Sequence, residues 1–163
     1  MNSQKKKFLI KEKTSTITAI AIVGAVLCLV GYAVILSMVP VNVGYPVFEA
    51  PSNIFIKTIQ LPDGSHIFAS QSTKGGKTVN KGHQNPSLYV DEGSLVAIHL
   101  INEVKIVPNM PNKHNLNIDE FNVHTGDIGY FQTKSITFLA NKKGSFEYYD
   151  SYNPQMRGLI YVR

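Results

Sequence analysis

From Ile17 to Val39 the chain runs ITAIAIVGAVLCLVGYAVILSMV, 23 residues without one charged side chain. Coiled as a helix rising 1.5 Å per residue, such a stretch covers about 34 Å, and a bilayer's hydrocarbon core is roughly 30 Å thick. A cleaved signal peptide has an apolar stretch of only about 7–15 residues and ends in a small-residue cleavage pattern. Here Met38-Val39-Pro40-Val41 follows, with no such pattern, so the segment reads as a retained transmembrane anchor. Lys5, Lys6, Lys7, Lys11 and Lys13 precede it, and no Lys or Arg lies between Val41 and Ile56. The excess of positive charge on one side predicts a single-pass protein of the cell membrane, with a cytoplasmic amino terminus and an extracytoplasmic remainder. The expected organisation is a cytoplasmic basic tail over 1–16, the anchor over 17–39, a linker over 40–52 and a folded domain over 53–163. Gly44, Pro46 and Pro51 mark the linker, because proline cannot continue a helix.

Charge and cysteine content exclude several classes. The net charge is +5, but the tail holds five lysines against Glu12, leaving residues 41–163 with 11 Lys and Arg against 10 Asp and Glu. A nearly neutral domain has no electrostatic footprint for nucleic acid. Cys28 is the sole cysteine and sits inside the apolar run, where it serves as a small apolar residue. That excludes an intrachain disulfide framework, a cysteine-based zinc site and a CxxC redox motif. A blue-copper site also needs a cysteine in the folded domain, and there is none.

Past Pro51 the chain reads as short strands. Residues 53–61 are β-branched and aromatic, Pro62-Asp63-Gly64-Ser65 signals a turn, and His66-Ile67-Phe68-Ala69 continues as the return strand of a hairpin. Residues 70–86 are expected as a long exposed loop. Within it, Gly76-Lys77-Thr78 lacks the first glycine of a phosphate-binding loop, because Gln71 stands in that place. Leu88–Val90 and Ser94–Asn102 form strand, turn and strand, with Val96, Ile98 and Leu100 on one face and His99 on the other. A Pro-interrupted loop is expected over 103–113. Further strands are expected at 114–118, 121–124, 131–139, 145–149 and 159–162. About eight short strands with regularly spaced turns predict an all-β Greek-key sandwich behind one amino-terminal helix.

Four segments resemble the cupredoxins. Asn85 to Val96, NPSLYVDEGSLV, is similar to the family pattern P-x-h-x-V-x-x-G-D-x-V. Ser135 to Tyr149, SITFLANKKGSFEYY, resembles the penultimate strands T-F-x-A-x-K-P-G-x-F-x-Y-Y-C. Asp150 to Val162, DSYNPQMRGLIYV, resembles the amicyanin-like ligand loop C-x-x-H-P-x-M-x-G-x-h-x-V, and His114-Asn115-Leu116-Asn117-Ile118 resembles the strand that carries the first histidine ligand. The resemblance covers roughly 53–163. An anchor ahead of such a domain is also similar to subunit II of haem–copper oxidases.

The resemblance implies a sandwich fold and four metal positions. A type 1 copper site takes two imidazoles, one thiolate and a weak axial methionine. Carried over residue by residue, His114 and Met156 match two ligands, Asp150 stands where the thiolate belongs, and Asn153 stands where the second histidine belongs. A carboxylate cannot reproduce the covalent copper–sulfur bond, and a purple-copper site would need two cysteines. The scaffold is thus expected to be kept and the electron-transfer centre lost. Two pictures of the four residues stay open. In one, His114, Asp150 and Met156 with water make an adapted Cu(II) shell. In the other, Asp150 and Asn153 bond loop backbone, Met156 packs in the core and His114 is a partly buried imidazole.

His66, His83, His99 and His124 show no H-x-H or H-x-x-x-H spacing, so a second metal site is not indicated. Asp91-Glu92 and Asp119-Glu120 are adjacent acids that point to opposite faces of an extended chain, and no catalytic residues are expected. The functional expectation is an accessory or structural subunit of a larger membrane complex, of oxidase or monooxygenase type. It would not itself be an enzyme and would carry no cofactor. The alternative is a copper-binding or electron-transfer protein, similar to a divergent oxidase subunit II, with a nonstandard site.

Overall fold

The computed structural model describes residues 3–71, 84–105 and 112–163, with side chains from Thr16 onward. Most of the expected loop over 70–86, with Gly76-Lys77-Thr78 and His83, lies outside the described residues, as do residues 106–111 of the loop expected over 103–113. The chain forms two compact units, residues 1–39 and 40–163.

The first unit is one helix, α1, Ser3–Ser37. From Thr16 to Ser37 it is apolar and long enough to cross a bilayer, and its side chains are exposed all round, Leu29 to 68%. A helix with apolar residues on every side has no buried face in water, and this one fits a single-pass membrane anchor or a signal sequence.

The second unit is a sandwich of two sheets. Nine strands occur among the described residues: β1 Ser52–Gln60, β2 His66–Ser70, β3 Leu88–Val90, β4 Leu95–Asn102, β5 Asn117–Ile118, β6 Val123–His124, β7 Thr133–Leu139, β8 Gly144–Tyr149 and β9 Arg157–Val162. One sheet has the order β2-β1-β4-β7 and the other β3-β9-β8-β5-β6. The β1–β4 and β3–β9 pairs are parallel and the other pairs antiparallel. The all-β sandwich behind one helix is the fold class that the turn spacing predicted.

Side-chain alternation places the core. In β4, which lies between β1 and β7, Val96, Ile98 and Leu100 are fully buried, while His99 turns to the other face and stacks on Phe55 at 4.6 Å. They join Ile56, Phe68 and Phe138 from the same sheet and Ile118, Val123, Tyr148 and Ile160 from the other in one apolar cluster. The β1–β2 turn is built as its residues dictate. Gly64 takes φ +85°, which glycine adopts without strain, and the Asp63 carboxylate accepts the Ser65 N–H at 2.9 Å.

Residues 41 and 42, at the start of the expected linker, are attached to a strand. β7 is the edge of its sheet, and edges expose unpaired backbone groups. The Val41 N–H donates to Thr137 O at 3.0 Å. The Asn42 amide donates to Leu139 O at 2.7 Å and accepts the Leu139 N–H at 2.9 Å, so one side chain stands in for a neighbouring peptide. The expected strand over 114–118 is also shorter. Only Asn117 and Ile118 pair as β5, while His114 makes a single bridge with Ile128. Asparagine side chains compete with ladder bonding: Asn117 donates to Asn115 Oδ1 at 2.8 Å, and Asn115 turns to Ser151.

Candidate functional site

Three of the four predicted positions lie on the loop between β8 and β9. The loop is closed by its own backbone: the Asp150 N–H donates to Met156 O at 3.0 Å and the Met156 N–H to Asn153 O at 2.8 Å. His114 faces it from a different segment, fixed by two backbone bonds with Ile128, 3.1 Å from its own N–H and 2.9 Å from that of Ile128. Asn115 joins the segments, accepting the Ser151 N–H at 2.9 Å and donating to Ser151 Oγ at 2.7 Å. The Tyr152 hydroxyl donates to Asp127 at 2.6 Å, a bond that raises its pKa. The loop is therefore pinned at the two residues that follow Asp150.

Asp150 is 1% exposed and His114 fully buried. A buried carboxylate needs donors, and Asp150 has three. His114 Nδ1 lies 2.5 Å from Oδ2, the Asn153 amide 3.3 Å from the same oxygen, and the Tyr152 N–H donates to Oδ1 at 2.8 Å. A carboxylate oxygen accepts, so His114 donates from Nδ1 and Nε2 is left as the other edge of the ring. Met156 is fully buried and packs in the apolar cluster.

The residues do not fit type 1 copper. Two ligands on one ion at about 2.0–2.1 Å each stand on the order of 3 Å apart or more. Nδ1 and Oδ2 are closer than that, at 2.5 Å. A hydrogen bond occupies the face that the resemblance gives to the metal, and thiolate and second imidazole are both replaced. Among the described residues no three His, Cys, Asp or Glu side chains form a metal-holding group.

The sequence reading missed His66, whose ring centroid lies 5.0 Å from that of His114 with the planes at 68°. Its pKa is lowered, first by burial and then by His114, against smaller raising effects of Asn153 and Asp150. Asn85 brings it there. At φ +46°, a conformation asparagine tolerates better than most residues, Asn85 accepts the Phe68 N–H at 2.9 Å and donates to Gln155 O at 3.1 Å. It thus ties β2, whose first residue is His66, to the 150–156 loop. No spacing rule signals this, because the two histidines are 48 residues apart, one on β2 and the other outside the named strands. His99 bonds Ser135 and Asn53, and His124 is exposed, so neither joins the cluster.

No protein-family model and no curated protein matches this chain. Solved structures similar to it are cupredoxins. A reduced Cu(I) form of an amicyanin mutant is 17% identical over 71% of this chain and 87% of that one, with a TM-score of 0.40. Auracyanin from Roseiflexus castenholzii is 16% identical over 71% and 99%, with a TM-score of 0.46. Copper nitrite reductase from Nitrosomonas europaea is 23% identical over 69% of this chain and 41% of that one, with a TM-score of 0.43.

Proposed function

We propose that this chain is a membrane-anchored, extracytoplasmic cupredoxin-like protein that has lost the type 1 copper centre. We place it as an accessory or structural subunit of a larger membrane complex, of oxidase or monooxygenase type, and not as an enzyme by itself. One observation carries the reading. Asp150, in the thiolate position, closes on His114 Nδ1 at 2.5 Å, so the would-be metal face is an internal hydrogen bond that holds the loop. What remains is a rigid β domain on a tether, a design suited to docking.

The test is purification from native membranes in mild detergent, with partners identified by mass spectrometry and metal by elemental analysis. The expected result is stoichiometric co-elution with integral-membrane subunits and no copper–thiolate colour. A chain that elutes alone would overturn the subunit role. Protease added to intact cells should reach the domain and spare a label at the amino terminus; the reverse pattern would overturn the topology. A copper-handling role is the second reading, favoured by the unbonded nitrogens of His66 and His114.

A further inference from the structure

Two ring nitrogens of this cluster are shielded from solvent and have no hydrogen-bond partner among the described residues: His114 Nε2 and His66 Nδ1. Buried polar atoms are nearly always bonded, and each exception calls for a ligand, a water or a cost. The nitrogens belong to rings whose centroids are 5.0 Å apart. Two imidazoles on one tetrahedral cation at about 2.0–2.1 Å per bond put their centroids about 5 Å apart. Behind His114, Asp150 accepts the Nδ1 proton, the arrangement by which a carboxylate orients a metal-bound imidazole and leaves Nε2 free to ligate. His66 also lines a surface cavity with Asp63, Ser65, Asn85 and Gln155, so the cavity reaches one of the two rings.

We propose that His114 Nε2 and His66 Nδ1 are the protein donors for one divalent cation that prefers nitrogen, such as Zn2+ or Cu2+, with solvent filling the remaining positions and Asp150 positioning His114. This site uses the edge of the His114 ring opposite the one bonded to Asp150, and it needs neither thiolate nor methionine. The ion has a structural role, tying β2 to the segment that carries His114. The inference goes beyond the function proposed above, and its failure leaves that reading intact, because subunit co-elution and copper–thiolate colour are read separately.

The experiment uses the full chain in detergent, stripped with chelator and titrated with Zn2+ alone by calorimetry. One saturable site per chain is expected. His66→Gln should weaken it by more than about 10-fold and Asp150→Asn by about 10–100-fold, the range for an outer-shell partner. His124→Ala should leave it unchanged. A second measurement needs no variant: Zn2+ should slow acylation of His66 by diethyl pyrocarbonate, read by mass spectrometry, and should not slow that of His124. Absence of saturable binding, equal binding by His66→Gln, or no protection of His66 would each overturn the proposal.

Discussion

Two buried polar clusters adjoin each other in the sandwich, one around Asn102 and one around His114, and they are built to opposite rules. Asn102 is closed on every side. Its Oδ1 accepts from Thr58 Oγ1 at 2.7 Å and from the Val104 N–H at 2.9 Å, and its Nδ2 donates to Asn112 O at 2.6 Å and Ile128 O at 3.2 Å. The His114 cluster satisfies Asp150 fully and, among the described residues, leaves a nitrogen of each imidazole unbonded. Ile128 joins the two, accepting from Asn102 and pairing through its backbone with His114. A polar group kept only for architecture is saturated, because each unmet bond in a dry interior is costly. One left open marks where a ligand can repay the cost.

The largest effect should come from breaking the closed cluster. Asn102→Ala strands the Thr58 hydroxyl, the Val104 N–H and Asn112 O, while Ile128 O keeps the His114 N–H, and at about 1 kcal/mol or more each it should cost about 3–5 kcal/mol in urea unfolding followed by circular dichroism. Next comes a tight contact between β8 and β9. A Cβ at Gly158 would stand 2.5 Å from the ring of the buried Tyr148, which cannot swing away while its hydroxyl bonds Pro86 O at 2.6 Å. Gly158→Ala should therefore cost about 1–3 kcal/mol by overpacking. Asp150→Asn keeps an acceptor for the Tyr152 N–H but puts an amide NH2 where Oδ2 accepts from His114 and Asn153, which the His114 ring can meet by shifting its proton to Nε2, so about 1–2 kcal/mol is expected. If Asp150→Asn costs as much as Asn102→Ala, the two clusters do not differ as described.

The sequence made one half of this contrast readable. Turn residues and the alternation of Val96, Ile98 and Leu100 gave the strands, because a pleated strand with one buried face leaves a period of two. The approach of His114 to Asp150 and Asn153 was implied by the resemblance of residues 114–118 and 150–162 to the ligand-bearing segments of cupredoxins. Asn102 and His66 left no such trace. Asn102 ends a strand where any polar residue would pass unnoticed, and His66 is brought to the site with the help of Asn85, a bond between segments that local pattern cannot report. The hold of Asn42 on β7 escaped for the same reason, since its partner is 97 residues away.

The smallest effect is one of pH. The folded-state pKa of His66 lies below its ordinary 6.5. In metal-free protein the unfolded chain therefore takes up the proton first as pH falls, and stability present above about pH 6.5 declines below it. His66→Gln should flatten that part of the profile in thermal unfolding with chelator present. An unchanged slope below pH 6.5 would mean that His66 does not sense the cluster.

The central claim is that Asp150 and Asn153 replace the thiolate and imidazole of a type 1 site on a kept scaffold. Visible absorption on adding Cu2+ to the natural chain and to the Asp150→Cys, Asn153→His double variant tests it most directly. Only a thiolate gives the intense charge-transfer colour, since two imidazoles and a thioether complete the site without supplying one. The natural chain should stay nearly colourless, whether or not Cu2+ binds through histidine, and the folded double variant should turn intensely coloured. Intense colour in the natural chain, or none in a folded double variant, would contradict the account.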